Sequence, residues 1–110
     1  MKIKTSEMTG TALDWAVAKC EGIDDLLFIC HEVGRFRYST DWSQGGPIIE
    51  RECISVEFCR AEFKSLWIAY KLGLPDEDNP EGGPTPLIAA MRCYVASTLG
   101  DEVDVPEELT

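Results

Sequence analysis

The chain predicts an α+β domain: a small antiparallel sheet of two or three strands packed with helices on one face or both. Three observations carry that reading. Two stretches, residues 11–22 and 85–100, show helical spacing of apolar residues with capping residues at their ends. Two further stretches, Cys53-Ile-Ser-Val-Glu-Phe-Cys-Arg60 and Phe63-Lys-Ser-Leu-Trp-Ile-Ala-Tyr70, have strand composition and lie close enough to form a hairpin. The length of 110 residues and the hydrophobic content of 45% suffice for a single core without metal or disulfide staples.

The first helix begins among Thr9, Gly10 and Thr11, where hydroxyls can cap, and Thr11 with Asp14 has capping-box spacing. Leu13, Val17 and Cys20 recur on one face, alanines fill in, and Trp15 falls at the edge of the stripe. Gly22 is a natural stop. The short apolar run Leu26-Leu-Phe-Ile-Cys30 fits either a buried strand or a second helix, because periodicity does not discriminate at this length. Arg35-Phe-Arg-Tyr38 alternates like a half-exposed strand or an extended approach to a turn. Pro47 is awkward inside a helix, so a loop or single turn is expected through Gly45 and Gly46, with a short helix from Pro47. In the hairpin, Ile54, Val56 and Phe58 share one face, and Ser55, Glu57 and Cys59 the other. Residues 73–84 read as an exposed loop. Thr85 then caps the last helix, Pro86 suits its first position, and Leu87, Ala90, Met91, Tyr94, Val95 and Leu99 form its stripe before Gly100.

The formal charge is −10, but its placement matters more than its size. Asp76, Glu77, Asp78 and Glu81 lie in one loop, and Asp101, Glu102, Asp104, Glu107 and Glu108 near the end. The other 11 acidic residues face 10 lysines and arginines, so the body is nearly neutral. The domain is therefore read as residues 1–100, with 101–110 an acidic, flexible tail. A mimic of duplex DNA would need about one charge per ~1.7 Å in a dense row, far more than this. The basic residues Arg35, Arg37, Arg51 and Arg60 are interleaved with acids, which disfavours nucleic acid as a partner. Five cysteines without a Cys-x-x-Cys pair, no signal peptide and no long apolar run suggest a reducing cytosol and no membrane.

The densest cluster of special side chains is residues 38–51. Tyr38, Ser39, Thr40, Asp41 and Trp42 precede Gly45-Gly46-Pro47, and Arg51 follows. Gly-Gly-Pro recurs at residues 82–84, directly before Thr85 and with Arg92 farther along. Two such helix entrances, meeting at one patch, would make a recognition surface of Tyr38, Ser39, Thr40, Asp41, Trp42, Gly45, Gly46, Arg51, Gly83, Thr85 and Arg92. Helix starts can offer N–H groups to an anion, although neither segment is a phosphate-binding fingerprint and both also serve as plain turns and caps. Trp67 reads as a core residue. Trp42, in a polar glycine-rich segment, suits stacking or a partner interface. Asp14 and Asp41 are candidates for orienting the loop by hydrogen bonds. His31 is the lone histidine and the cysteines lack zinc spacing, so neither a catalytic pair nor a metal site is expected, and no cofactor.

Three segments also resemble a known family. Lys-Thr-Ser-Glu-Met-Thr-Gly at residues 4–10 with Ala-Leu-Asp-Trp-Ala-Val-Ala at 12–18, Thr-Asp-Trp-Ser-Gln-Gly-Gly-Pro-Ile-Ile-Glu-Arg-Glu at 40–52, and Gly-Pro-Thr-Pro-Leu-Ile-Ala-Ala-Met-Arg-Cys-Tyr-Val-Ala-Ser at 83–97 resemble the NinX-like proteins of lambdoid phages. The resemblance implies a small phage accessory protein and no particular activity. A looser likeness to small phage α/β/α sandwich domains rests on the first helix, Tyr38-Ser-Thr-Asp41, the Trp-bearing hairpin and the helix opened by Thr85-Pro86. From these readings the expected function is non-catalytic binding of a host protein in the cytoplasm of the infected bacterium. Sequestration of a small anionic or nucleotide-like ligand as a counter-defence is the alternative, and hydrolase-type chemistry ranks third. A homo-oligomer stays open.

Overall fold

The computed structural model describes residues 1–23, 36–60, 65–71 and 81–109. The apolar run 26–30, His31, the expected hairpin connection Ala61-Glu62 and residues 73–80 of the loop expected at 73–84 lie outside the described residues.

The architecture is α+β, as expected. In chain order, β1 (Lys2–Lys4) leads through a 3-10 turn (Thr5–Glu7) to α1 (Gly10–Cys20). α2 (Trp42–Arg51), β2 (Ile54–Arg60), β3 (Ser65–Lys71) and β4 (Glu81–Gly83) follow. α3 (Pro86–Leu99), β5 (Glu102–Asp104) and a 3-10 turn (Glu107–Leu109) complete it. One sheet has the order β2-β3-β4, all antiparallel; a separate ribbon pairs β1 with β5.

α3 forms the middle layer. It packs on the three-stranded sheet on one side and on α1 on the other. A helix covered all round cannot be amphipathic, and α3 accordingly buries every residue of Ala89-Ala-Met-Arg-Cys-Tyr-Val95. α1 meets it with Ala12, Leu13, Ala16 and Val17, all buried. The small alanines let the two helices approach closely. Trp15 is not at an edge: only 2% of it is exposed.

The helix ends follow sequence chemistry. After α1, the Gly22 N–H donates to the Lys19 carbonyl at 3.1 Å and the Ile23 N–H to the Ala18 carbonyl at 3.1 Å, with Gly22 at φ +83°. That is the Schellman arrangement, which needs a left-handed residue where Gly22 stands. The Thr11–Asp14 capping box does not form. Thr9 occupies the cap position, and Asp14 turns inward to a different partner described below. Thr85 caps α3 through its hydroxyl, with Pro86 in the first turn, as read from the sequence.

Three further expectations need correction. The Gly45-Gly46-Pro47 stretch is not a loop before a helix but lies within α2, which starts at Trp42. The missing Pro47 N–H weakens this helix, but the Asp41 cap and the burial of Gly45 and Ile48 hold it, so packing overrides the local penalty. Glu81–Gly83, read as loop, forms β4 beside Trp67, Ile68 and Ala69. The described part of the acidic tail, residues 101–109, is docked instead of solvated. Val103 and Val105 are buried while Glu102 and Asp104 stay exposed. Lys2 lies opposite Asp104 and Lys4 opposite Glu102. Opposite charges across a strand pair attract, and alternation puts the valines inward.

Candidate functional site

The segment before α2 is fixed from three directions. The Thr40 and Asp41 N–H groups donate to the Arg37 carbonyl at 3.1 and 2.8 Å, closing a turn where a strand was one option. The Arg37 N–H donates to Gln44 Oε1 at 2.8 Å. The Ser39 N–H donates to Asp14 Oδ1 at 2.8 Å, tying the turn to α1. Asp14 is 8% exposed, and burial pushes its carboxyl above the ordinary range, opposed by the Ser39 hydrogen bonding. Tyr38 stacks on Phe36 with ring centroids 5.9 Å apart, and burial raises its phenol as well.

Asp41 is the N-cap of α2. Its Oδ1 accepts from the Ser43 N–H at 2.9 Å and the Ser43 hydroxyl at 2.6 Å, and those bonds hold the carboxyl below its usual range. The anion is therefore kept at the positive end of the helix, where the dipole favours it. Both aspartates thus orient the loop.

The second corner is the start of α3, where the Ile88 N–H donates to Thr85 Oγ1 at 3.1 Å. The two corners meet. Ser39, Thr40 and Trp42 on one side and Thr85, Pro86, Leu87 and Ile88 on the other line a cleft of about 210 Å³. Trp42 is 55% exposed at this cleft. The capped turn fixes its backbone while the indole faces outward.

The other residues named from the sequence have different places. Gly45 is where α2 crosses α3: a Cβ there would collide with the Tyr38 carbonyl oxygen and stand 2.6 Å from Leu87 Cδ1. Gly46 has only Trp42 Cε3 near its missing side chain, at 3.9 Å. Gly83 is buried, its missing Cβ 2.8 Å from the Ala89 nitrogen. Gly45 and Gly83 are thus close-packing positions beneath the cleft.

Arg51 and Arg92 do not line the cleft. Arg51 sits at the far end of α2 and grips both Glu21 oxygens, at 3.0 and 2.6 Å, as well as Glu52 at 2.9 Å. Tyr94 joins this cluster by donating its hydroxyl to Glu21 at 2.6 Å. The hydrogen bonds from Arg51 hold the Glu21 carboxyl low, while burial and Glu21 push the Tyr94 phenol far up. Arg92, 8% exposed, donates from Nε to the Met8 carbonyl and from Nη1 to the Gly82 carbonyl, both at 2.8 Å. It is a tie between segments.

The cleft is accordingly uncharged at its walls. The Ser43 and Ile88 N–H groups at the two helix starts are already capped by side chains, and Pro86 has none to offer. At the start of α2 the Asp41 carboxylate, bonded to Ser43, already holds the anionic position. This is a poor setting for an anion and a good one for an apolar or aromatic group with hydroxyls at its edge. The sequence reading placed Pro86 in the surface, which it drew from Tyr38 to Gly46 and from Gly83 to Pro86, but missed the walls supplied by Leu87 and Ile88. Leu87 belongs to the core stripe and Ile88 is half-buried beside it, and periodicity alone does not show that both also face a cleft. A second depression, about 360 Å³, lies between Trp15 and Lys19 and residues 104–107, and involves none of the residues of the expected recognition surface.

Among the described residues, no group of three or more His, Cys, Asp or Glu side chains converges to hold a metal. Of the thiols, Cys20 is pushed up to about 11, mainly by burial, which makes it a poor nucleophile. Among the described residues no helix is long and apolar enough to cross a membrane.

The family model described as Bacteriophage P22, NinX matches residues 4–98, a span that includes both corners of the cleft. No curated protein matches the chain.

Proposed function

The chain belongs to the phage P22 NinX family, and from that premise we propose that it is a non-catalytic accessory protein that binds a host protein in the cytoplasm of the infected bacterium. The observation that supports this most is Trp42: a large apolar ring, 55% exposed, on a backbone fixed by the Asp41 cap and the Asp14–Ser39 bond, beside a cleft. Exposed aromatic residues on rigid supports are the usual anchors of protein interfaces, because little entropy is lost when they are covered. The alternative, capture of a small anionic ligand, draws on the two helix starts at the cleft. The capped donors and the engagement of Arg51 and Arg92 elsewhere weigh against it.

The test is affinity capture from infected cells, with wild type and Trp42→Ala side by side, followed by native mass spectrometry of the untagged protein. The side chain is exposed, so Trp42→Ala should change stability by no more than roughly 0.5 kcal/mol. A stoichiometric host polypeptide held by the wild type and lost from Trp42→Ala is the expected result. A retained small-molecule mass with no polypeptide would overturn it in favour of the ligand reading.

A further inference from the structure

We infer that the depression between α1 and residues 104–107 is a ligand site, separate from the cleft, and that it takes a carboxylate carried on an apolar body. Its volume of about 360 Å³ falls within the range of about 300–1,000 Å³ usual for small-molecule sites, whereas the cleft, at about 210 Å³, falls below it. Trp15, Val105 and Pro106 give the depression its apolar lining. Lys19, Asp104 and Glu107 bring charges to it, and Met1 lies alongside.

A buried donor without an acceptor carries the inference. Trp15 is 2% exposed, and its Nε1–H makes no hydrogen bond. Buried indole N–H groups usually have a partner, because an unpaired one forfeits the bond it made to water. An indole N–H only donates, so an acceptor is what completes it. Lys19 is the second donor. Its Nζ stands 5.2 Å from the centroid of the Trp15 ring, where the ring face attracts a cation. Among the described residues this ammonium makes no hydrogen bond or ion pair.

The two acids at the depression are already engaged. Asp104 Oδ1 accepts from the Met1 ammonium at 2.9 Å, and Asp104 stands opposite Lys2 in the ribbon. Glu107 has an interaction of its own. The Trp15 N–H and the Lys19 charge are therefore the groups left for a ligand. A carboxylate answers both: each of its oxygens accepts from one donor, and its single charge matches that of Lys19. A doubly charged phosphate is opposed by the Asp104 and Glu107 carboxylates, and an ammonium by Lys19. The N–H lies below the surface. The carboxylate reaches it when Lys19, a long and exposed side chain, leaves the ring face and travels with the incoming oxygen. A free organic acid and the C-terminal end of a peptide carry the same group, and the test separates them.

The test is an NMR titration of the full chain that follows the indole N–H signal of Trp15. Hexanoate is compared with hexanamide, and acetyl-dileucine ending in a free carboxylate with the same peptide amidated. A carboxylate is expected to bind saturably, to move the Trp15 N–H signal downfield, and to bind about tenfold or more tighter than its amide, the difference a charge-assisted hydrogen bond makes. The tighter of the two acids identifies the source. Lys19→Gln, at an exposed position, should weaken binding about tenfold, and Trp15→Phe, which keeps a ring but loses the donor, by a similar factor. Trp42→Ala should leave binding unchanged, so this site and the cleft stand or fall separately. Amides that bind as tightly as the acids, no saturable change at the Trp15 N–H, or full affinity in Lys19→Gln would each overturn the proposal. Thermal unfolding shows whether Trp15→Phe folds; if it does not, the wild-type N–H shift and Lys19→Gln decide.

Discussion

Replacing Gly45 and Gly46, one at a time, by alanine is a sharp test of how α2 is seated, because the two neighbours share a helix and differ only in what surrounds them. Neither has positive φ, so alanine is conformationally free at both. In an α-helix the exchange should stabilise by about 0.5–1 kcal/mol at either site, since glycine loses more backbone entropy on folding. At Gly46 the new methyl meets only Trp42 Cε3 at 3.9 Å, an ordinary contact, so the full gain should appear. At Gly45 the methyl collides with the Tyr38 carbonyl and lies 2.6 Å from Leu87 Cδ1. Leu87 can turn, but the carbonyl belongs to a turn pinned by Asp14, so α2 itself must move. Overpacking of this kind costs about 1–3 kcal/mol, and a backbone collision belongs in the upper half. The net for Gly45→Ala is then about 1–2 kcal/mol of destabilisation, and the two variants should differ by about 2–3 kcal/mol. With an unfolding entropy of about 2.1 cal/mol/K per residue, that separates their melting temperatures by roughly 10 °C. Urea or thermal unfolding by circular dichroism reads this directly. Equal melting temperatures, or a rise for Gly45→Ala, would refute the seating of α2 against Tyr38 and Leu87.

Two further perturbations follow from the charged groups. Asp14→Ala leaves the buried Ser39 N–H without its acceptor and should cost about 1–3 kcal/mol. Asp14→Asn keeps an acceptor and removes a buried charge. The Asp14 carboxyl holds its proton more tightly in the fold than its ordinary 3.8, so ionising it costs stability as pH rises above that value. Asp14→Asn should therefore be at least as stable as wild type at neutral pH, as measured by urea unfolding over a pH series, and a large loss would contradict the assigned role. Glu21 is the opposite case, held below its ordinary 4.5 mainly by Arg51. Its contribution is fully present above about that pH and drains away as the solution is acidified through the lower folded value. Arg51→Gln should lose roughly 0.2–1 kcal/mol at neutral pH, a small figure because Arg51 is half exposed. It should also lose less on acidification than wild type; parallel pH profiles would rule out the Arg51–Glu21 pair as the cause.

What the chain settled alone is local. Thr85 and Pro86 start α3, Gly22 ends α1, and alternation from Ile54 to Phe58 sets the facing of β2. Each depends on a residue and its near neighbours, whose hydrogen bonds and φ preferences act over a few positions. Of the two glycine-proline corners expected to meet, the one at Gly45-Gly46-Pro47 is helix interior, and Ser39, Thr40 and Trp42 stand opposite Thr85 and Pro86 in its place. What only the tertiary structure decided is where packing outweighs local chemistry. Pro47 argues against a helix at residues 42–51, but Gly45 and Ile48 dock on α3 and carry the helix through it. The acids at 101–108 read as a solvated tail, but Val103 and Val105 reach the core once β1 supplies a partner strand and two lysines. Arg51 and Arg92 looked available to a ligand, and distant partners claimed both: Glu21, thirty residues away, and the Met8 carbonyl, eighty-four away. A side chain's charge is written in the sequence, but whether that charge is already satisfied depends on contacts that form only when the chain closes on itself.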